Sequence, residues 1–339
     1  MEKKKSINNG SATAGMPVSE LRRDLVTGNW VAIAKSRMER PQPKSVSEAD
    51  DPIETCPFED PKKSGNKEPV LLYKDSEDWL LQVIPNKYPA FAGGECGIIS
   101  KMGPYSVQDG RGFHEVVITR NHYNHIGLLP EERVREILRA YLTRYLALKK
   151  EGCVKYISIF HNHGRKSGAS LTHPHSQLVA IPIVPSRIRR SLIGSRIFYK
   201  KHKKCVQCAM LDWEREDKKR IVLENNDFIA VCPFISRKAY EVRIFPKKHS
   251  SHFERIGESK IQALAQLFQE VFARFFRNIN NPPYNFYLHT APVDSKAYAY
   301  YHWHFEVLPK VEVGAGFELG TGIEISTLEP ERAAAILRL

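Results

Sequence analysis

Apolar and polar positions along the chain predict short strands around two long helices. The patterns at 131–149 and 259–277 predict helices. Runs rich in β-branched and aromatic residues predict strands before and after each helix. These strands are expected at 114–122, 156–160 and 178–184 around the first helix, and at 240–249 and 284–289 around the second. The order of elements predicts an α+β protein with antiparallel sheets and packed helices.

The same order of elements occurs twice, and histidines occur at matching places in both copies. His122 and His173 flank the first predicted helix, and His249 and His302 flank the second at nearly the same spacing. Chance histidines would rarely produce this agreement, so the sequence predicts a duplicated unit, two fused copies of one sheet-and-helix arrangement.

A His-Pro-His segment at 173–175 leads into the predicted strand at 178–184. Strand side chains repeat their direction every second residue, so His173 and His175 are expected to point to the same face. A neutral imidazole offers one nitrogen lone pair, which suits one ring to metal binding and the other to nucleophilic or base chemistry. A bare His-x-His is more often a hydrogen-bonded pair beside the core, and only its surroundings favour catalysis here.

Length and composition indicate a globular chain of 339 residues with two domains or one fused double domain. We expect a disordered tail at 1–20, an N-terminal domain at 21–195 and a C-terminal domain at 196–339. No apolar run approaches the roughly 20 residues that span a bilayer, and the charged N-terminus does not resemble a secretory signal, so we expect no membrane association and a cytoplasmic protein. Six cysteines in a chain of this length favour metal ligands or free thiols over a disulfide framework.

The net charge is +13, from 51 basic and 38 acidic residues. A basic balance attracts polyanions, but the basic residues form only local clusters, at 187–190 and 200–204. Small phosphorylated substrates account for the sign equally well. Nucleic acid is therefore the weaker expectation for a partner.

The His-Pro-His-x-Gln segment resembles the active-site motif of the galactose-1-phosphate uridylyltransferase family in the histidine-triad superfamily. The loop at 160–170, with small residues before the motif, resembles that family's phosphate-binding loop, and the resemblance extends from Arg22 to the C-terminus. It implies duplicated histidine-triad-like units, a homodimer, and a nucleoside diphosphate sugar and a sugar 1-phosphate as substrates. The residues that it implies are the nucleophile His175, expected to be exposed, the hydrogen-bond donor Gln177, and the substrate-binding residues Asn86, Asn162 and Ser170.

Arg37 and Arg40 lie three residues apart before a proline. Two such guanidinium groups can hold phosphate through charge-assisted hydrogen bonds, although an exposed surface pair is the default. The family has a matching Arg-x-x-Arg-Pro, which favours a role at the substrate or at a subunit interface.

Two ligand sets for zinc follow from the repeat together with the resemblance. Cys205, Cys208, His249 and His302 form a Cys-x-x-Cys plus two histidines, a set suited to structural zinc. In the first copy the corresponding residues are Cys56, Glu59, His122 and His173, where Glu59 replaces the family's second cysteine and places occupancy in question. His125 and His252, three residues after a proposed ligand in each copy, are the rival ligands.

The C-terminal segment 316–324 departs from the best-known family members, with Phe317 and Glu324 in place of Tyr and Gln and with Glu318 kept. Its Gly-Phe-Glu-Leu-Gly-Thr-Gly form is similar to a sister group that includes ADP-glucose phosphorylase. A carboxylate at Glu324 would accept hydrogen bonds from sugar hydroxyls and repel inorganic phosphate. The resemblance, together with this carboxylate, therefore implies a UDP-glucose–hexose-1-phosphate uridylyltransferase of galactose metabolism. ADP-glucose phosphorylase activity is the alternative, and a non-catalytic nucleotide- or nucleic-acid-binding protein is the weaker one.

Overall fold

The computed structural model describes residues 18–39, 50–75, 78–294, 296–312 and 314–339. The strands of these residues are β1 (Glu20–Arg23), β2 (Trp30–Ile33), β3 (Leu71–Lys74), β4 (Trp79–Pro85), β5 (Ile99–Met102), β6 (Tyr105–Gln108), β7 (Phe113–Thr119), β8 (Tyr156–His163), β9 (His175–Ile181), β10 (Ile221–Glu224), β11 (Phe228–Val231), β12 (Val242–Pro246), β13 (Tyr284–His289), β14 (His304–Pro309) and β15 (Glu324–Ser326).

The helices of the described residues are α1 (Glu131–Leu148), α2 (Ser186–His202), α3 (Val206–Asp217), α4 (Glu258–Ile279), α5 (Gly316–Thr321) and α6 (Pro330–Arg338). Short 3-10 turns lie at Lys35–Glu39, Ile53–Thr55, Ile126–Leu128, Arg165–Ser167 and Phe253–Arg255. The helices predicted at 131–149 and 259–277 correspond to α1 and α4, and the strands predicted around them correspond to β7, β8, β9, β12 and β13.

One ten-stranded sheet runs through both copies of the duplicated unit, in the order β10-β11-β12-β14-β13-β8-β9-β7-β4-β3. Read inward from its two edges, β3-β4-β7-β9-β8 of the first copy matches β10-β11-β12-β14-β13 of the second. Every pairing in this sheet is antiparallel. The α+β class and the duplication are therefore as predicted, with the two units joined in a single sheet.

The two copies meet where β8 pairs with β13. In this register Asn162 lies opposite Asn285 and His161 lies opposite Phe286. The Asn285 side chain of the second copy also reaches the loop that follows β8 in the first, because its Nδ2 donates to the Ser167 carbonyl.

Helices α1 and α4 cover one face of the sheet and contact each other. Their buried side chains recur at helical spacing, as in Val134, Leu138, Tyr141 and Tyr145 of α1. Inward-facing side chains of both halves of the sheet join them in one continuous core. Gly127 lets the turn before α1 approach α4, because a Cβ there would lie 2.5 Å from the backbone of Phe272.

The opposite face of the sheet carries polar side chains near the join. Leu178 and Ala180 of β9 enter the helix-covered core, so His175 and Gln177 point to the other face. In β14, Phe305 and Val307 enter the same core, which places His304 and Glu306 on that other face as well. We call this surface the open face of the sheet.

A second, three-stranded sheet joins the beginning and end of the described chain, in the order β1-β2-β15, with β15 parallel to β2. Helix α2 continues through the predicted domain boundary at 195/196. Of the predicted tail, residues 1–17 lie outside the described residues, and Glu20 opens β1. No helix among the described residues combines the length and apolar character needed to cross a membrane.

The expectation for the cysteines needs a correction at one pair. Cys96 and Cys153 form a disulfide between the loop before β5 and the turn after α1, with Cα atoms 5.7 Å apart. Their pairing depends on the packing of two loops distant in sequence, which cysteine spacing alone does not indicate. The other four cysteines, which all lie among the described residues, form no disulfide.

Candidate active site and metal centres

His175 opens strand β9 and points to the open face. Its Nδ1 donates a hydrogen bond to the carbonyl oxygen of His173 at 2.9 Å, which fixes the tautomer and leaves the lone pair on Nε2. Burial lowers the pKa of His175, which favours the neutral ring. Nε2 has no hydrogen-bond partner among the described residues. The ring is thus prepared to act as a nucleophile or a base through Nε2.

The expectation that His175 is exposed was wrong, because its relative exposure is 6%. Phe58, from the segment that follows Cys56, lies edge-on to the His175 ring with centroids 5.2 Å apart and also contacts His173 at 5.7 Å. Both histidines therefore face the same side, as strand periodicity predicted. The covering ring comes from a segment far away in sequence.

Gln177 lies two residues after His175 and shares its face. Its Oε1 is 2.7 Å from Nε2 of His114, a residue of β7 that the sequence analysis did not single out. Asn86 is adjacent, since its backbone N–H donates to the carbonyl of His114 at 2.8 Å. The predicted residues Asn86, Gln177 and His175 are thus brought together. His114 could have been found only from the pairing of β7 with β9.

The predicted phosphate loop connects β8 to His173. At its start, Nδ2 of Asn285 donates to Oδ1 of Asn162 at 2.7 Å and to the carbonyl of Ser167 at 2.8 Å. The oxygen of the Asn162 amide is therefore occupied, and its NH2 group remains to donate to a ligand. Gly164 and Gly168 have positive φ angles of 77° and 91°, which non-glycine residues rarely adopt.

The end of this loop is fastened by Asp51, another residue that the sequence analysis missed. Thr172 N–H donates to a carboxylate oxygen of Asp51 at 2.8 Å, and Asp51 N–H donates to the Thr172 hydroxyl at 2.7 Å. This backbone hydrogen bond and the charge of Arg165 lower the pKa of Asp51. Ser170, between the two fixed ends of the loop, is exposed and accessible to a ligand.

The first proposed metal group brings together Cys56, Glu59, His122 and His173, whose ligand atoms lie within 4.8 Å of one another. Tetrahedral zinc, with Zn–S of about 2.3 Å and Zn–N of about 2.0–2.1 Å, gives S···N edges of roughly 3.5 Å and N···N edges of roughly 3.3 Å. The Cys56 Sγ to His173 Nδ1 distance is 3.5 Å, and the two histidine Nδ1 atoms are 3.2 Å apart. These spacings fit a zinc ion.

Hydrogen bonds on the far sides of the two histidines support the same conclusion. Nε2 of His122 donates to the Asp51 carbonyl at 2.9 Å, and Nε2 of His173 donates to the Thr119 carbonyl at 2.8 Å. Burial lowers the pKa of His173 to about 4, so that its Nδ1 carries a lone pair at neutral pH. That lone pair faces the Glu59 carboxylate at 3.2 Å. Such convergence of lone pairs suits a cation between them.

The second proposed metal group, Cys205, Cys208, His249 and His302, has the same compactness. Sγ of Cys208 lies 3.4 Å from Nδ1 of His249 and 3.5 Å from Nδ1 of His302, which again matches tetrahedral zinc. Unlike its counterparts in the first group, the Nε2 of His302 is buried without a hydrogen-bond partner in the described part of the chain.

The rival histidines lie outside both groups. Nδ1 of His125 accepts a hydrogen bond from Gly127 N–H at 3.2 Å, and burial together with His163 lowers the pKa of His125 to about 4. His252 contacts the Ser251 hydroxyl at 2.8 Å. Both hydrogen bonds use the Nδ1 atoms, the atoms that face the metal position in the proposed ligands.

A third cluster on the open face contains His289, His304 and Glu306. It occupies the place in the second copy that His175 and Gln177 occupy in the first. Glu306 is ion-paired with Arg237 and, at 3.3 Å, with Arg243. Two guanidinium groups already neutralise this carboxylate, so the cluster does not suit a cation.

The remaining predicted residues lie away from this group. Arg37 is exposed in the turn after β2, and Arg40 lies outside the described residues. Phe317 on α5 is 52% exposed, Glu318 accepts a hydrogen bond from Ala315 N–H at 3.1 Å, and Glu324 is ion-paired with Lys238 at 2.8 Å. No hydrogen bond, ion pair or ring contact among the described residues joins these side chains to His175.

Comparison with known proteins places the chain in a family. Residues 11–185 match the family described as "Galactose-1-phosphate uridyl transferase, N-terminal domain", and residues 107–337 match one described as "Domain of unknown function (DUF4921)". The chain is 31% identical over 328 residues to ADP-glucose phosphorylase of Arabidopsis thaliana, covering 94% of this chain and 92% of that protein. It is 30% identical over 329 residues to galactose-1-phosphate uridylyltransferase of Thermotoga maritima, covering 94% and 98%.

Solved structures agree with this placement. The crystal structure of an ADP-glucose phosphorylase from Arabidopsis thaliana with bound ADP-glucose superposes with a TM-score of 0.80 at 29% identity, covering 95% of this chain and 99% of that chain. A uridylyltransferase structure superposes with a TM-score of 0.73 at 29% identity, covering 95% and 97%. The chain is thus a nucleotidyltransferase of the galactose-1-phosphate uridylyltransferase family, which includes ADP-glucose phosphorylase-like members.

Proposed function

We propose that the protein transfers a nucleoside monophosphate group from a nucleoside diphosphate hexose to a phosphate acceptor through a covalent intermediate on His175. The observation that carries the proposal is the His175 ring itself. Its Nδ1–H is held by the His173 carbonyl at 2.9 Å, and its Nε2 lone pair lies on the face that also carries Gln177. A non-catalytic nucleotide-binding protein would not need an oriented nucleophile at this place.

In the first half-reaction, Nε2 of His175 attacks the α-phosphorus of the donor. The N–P bond forms as the bond from the α-phosphorus to the bridging oxygen breaks, and hexose 1-phosphate leaves with that oxygen. In the second half-reaction, a phosphate oxygen of the acceptor attacks the same phosphorus and releases neutral His175. The NH2 groups of Gln177 and Asn162 and the hydroxyl of Ser170 would donate hydrogen bonds to the nonbridging oxygens.

The first metal group would act on this chemistry through the backbone. When bound, zinc supplies a structural cross-link. In the first group, His173 would join β9 to the segment of Cys56, which also carries Phe58 over the nucleophile. We therefore propose a structural zinc at both groups, and at the first group it would hold the segment of Phe58 beside the nucleophile.

Inorganic phosphate is the acceptor that we favour, with ADP-glucose as the donor. The expectation of a hexose acceptor depended on a free carboxylate at Glu324, but Glu324 is paired with Lys238 at 2.8 Å and Glu318 accepts from Ala315 N–H. The Lys238 ammonium offsets the charge of Glu324 and so weakens its repulsion of phosphate. The similarity to an ADP-glucose phosphorylase with bound ADP-glucose supports this choice.

Exchange with galactose 1-phosphate is the second candidate. The relative from Thermotoga maritima, of which the chain covers 98%, is a galactose-1-phosphate uridylyltransferase and supports it. Both candidates use the same first half-reaction and differ only in what discharges the intermediate.

The test is direct labelling. The protein is incubated with ADP-glucose or UDP-glucose that carries 32P in the α-phosphate, and an acid-labile, base-stable label on the chain is the expected result. The labelled protein is then divided between inorganic phosphate and galactose 1-phosphate. Faster discharge by phosphate, with a nucleoside diphosphate as product, supports the phosphorylase, and faster discharge by the sugar phosphate supports exchange. A wild-type chain that takes no label from either donor would exclude the mechanism.

A further inference from the structure

His114 has no role in the double displacement, although it touches two of the proposed substrate-binding residues. It lies on β7 and faces the open side of the sheet, where it is half-buried. Its ring nitrogens contact the Gln177 amide, the Asn86 amide and the backbone of Ala90.

The backbone of Ala90 decides the tautomer of His114. Ala90 N–H lies 3.1 Å from Nδ1, and a backbone N–H can only donate in the direction that the chain gives it. Nδ1 must therefore accept and carry no hydrogen. In the neutral ring the hydrogen is then on Nε2.

The Nε2–H group of His114 in turn decides the orientation of Gln177. It lies 2.7 Å from Oε1 of Gln177, so the amide oxygen accepts this hydrogen bond. An amide has its oxygen and its NH2 group on opposite sides, and the NH2 group is consequently turned away from His114. A reversed amide would place two donors against each other.

The Asn86 amide presents a competing donor to the same ring nitrogen. Its Oδ1 accepts a hydrogen bond from Tyr88 N–H at 2.8 Å, which leaves its NH2 group 3.2 Å from Nε2 of His114. The NH2 group has two hydrogens and can direct one elsewhere, whereas Ala90 N–H has no such freedom. Ala90 N–H therefore determines which nitrogen of the His114 ring carries the hydrogen.

We propose that His114 is a positioning residue that holds the Gln177 amide with its NH2 group toward the α-phosphate of the nucleotide. The proposal depends on the proposed function, because Gln177 needs a fixed donor only if a phosphorus reacts at His175. Without His114 the amide can rotate, and in the reversed orientation its oxygen faces the negatively charged phosphate oxygens.

The test is a double-mutant cycle on the first half-reaction, with single-turnover labelling of His175 as the readout. His114→Phe keeps a planar ring and removes both nitrogens, and it should slow labelling about tenfold, as expected for one lost hydrogen bond. Gln177→Ala should slow labelling by a factor of roughly 10². The double variant should be no slower than Gln177→Ala alone, because His114 acts only through Gln177.

His114→Gln is the conservative variant. Its side-chain NH2 group can take the place of Nε2–H as a donor to Gln177, and labelling should remain within about threefold of the wild type. Thermal unfolding of all variants separates a loss of orientation from a loss of fold. If His114 had only a structural role, His114→Phe would lower the melting temperature, and its effect on labelling would add to that of Gln177→Ala.

A second readout does not depend on activity. In 15N NMR of histidine-labelled protein, the resonances that disappear in His114→Gln should be those of an unprotonated Nδ1 and a protonated Nε2. The opposite tautomer, or a double variant whose effects multiply, would overturn the proposal for His114 while leaving nucleotidyl transfer intact. A wild-type protein that takes no label would overturn the function and this proposal together.

Discussion

His175 and His304 open equivalent strands in the two copies, and each donates its Nδ1 hydrogen to the carbonyl two residues earlier, at 2.9 and 3.0 Å. Their surroundings differ. The His304 ring is stacked between Phe245 and His289, with centroids 4.7 and 4.8 Å away. Burial and the charge of Arg243 lower the pKa of His304 to about 3. The same backbone arrangement orients both histidines, and the unstacked ring beside a neutral amide is the one that we propose as the nucleophile.

The residue two positions later sharpens this contrast. Gln177 presents an amide beside His175, whereas Glu306 presents a carboxylate that Arg237 and Arg243 already neutralise. An amide can donate to a phosphate oxygen, and a carboxylate repels it. The second copy thus has the same backbone arrangement at this motif, with a buried ion-pair network in place of the amide.

The largest expected difference between the copies is in the effect of removing each histidine on nucleotidyl transfer. His175→Ala should lower nucleotidyl transfer by roughly 10⁴ or more and abolish the covalent label, because no other group can form the intermediate. His304→Ala, the matched control, should keep labelling and lower the melting temperature, since it removes a stacked, buried ring. Equal loss of labelling in both variants would remove the functional distinction between the copies.

The next variant gives the first copy the residue type that the second copy has at the equivalent position. Gln177→Glu keeps the shape of the side chain and places a carboxylate beside the α-phosphate, so it should slow labelling more than the factor of about 10² expected for Gln177→Ala. Single-turnover rates with ADP-glucose measure both. If glutamate and alanine give the same rate, charge at this position has no effect on transfer.

The two metal groups allow two effects on zinc affinity to be compared, that of the ligand type and that of the hydrogen bonds made by the ligating histidines. In the first group, both histidines donate to backbone carbonyls, and loss of such outer hydrogen bonds typically lowers metal affinity 10–100-fold. The second group has a second thiolate in place of a carboxylate. We expect the thiolate pair to bind zinc more tightly, because sulfur suits zinc better than a carboxylate does. Metal analysis after partial chelation should find zinc retained in Cys56→Ser and lost in Cys205→Ser. The reverse order would show that the carbonyl supports outweigh the ligand type.

The smallest expected effect tests the contact across the join. Asn285→Ala removes the hydrogen bond that holds the Asn162 oxygen, and labelling should slow about three- to tenfold while the zinc content stays unchanged. Asn285→Asp keeps the shape of the side chain and should slow labelling as well, because a carboxylate cannot donate to the Asn162 oxygen. Unaltered labelling rates in both variants would show that Asn162 needs no support from the second copy.

The sequence predicted those features that depend on spacing within one copy. The order of elements and the face shared by His173 and His175 follow from periodicity and repetition. The grouping of four residues around each metal position follows from the repeat together with the family resemblance. Features that depend on which strands pair were not predictable in this way. His114 meets Gln177 only because β7 and β9 are antiparallel neighbours in a particular register.

Contacts between distant segments account for the two expectations that failed. Phe58 covers His175 because its segment is held beside the strand, and the Cys96–Cys153 disulfide joins two loops that the repeat does not relate. The pairing of Glu324 with Lys238 likewise joins β15 to a loop before β12. Each depends on tertiary placement, for which a single sequence carries no periodic signal.

The two equal halves of the large sheet, which meet where β8 pairs with β13, belong to one covalent chain. In a symmetric pair of identical subunits, every substitution appears in both, so neither pocket can change without the other. Within a single chain the constraint disappears, and one histidine can keep its reactivity while its counterpart becomes a stacked part of the interior. The asymmetry between His175 and His304 is a form of specialisation that duplication followed by fusion permits.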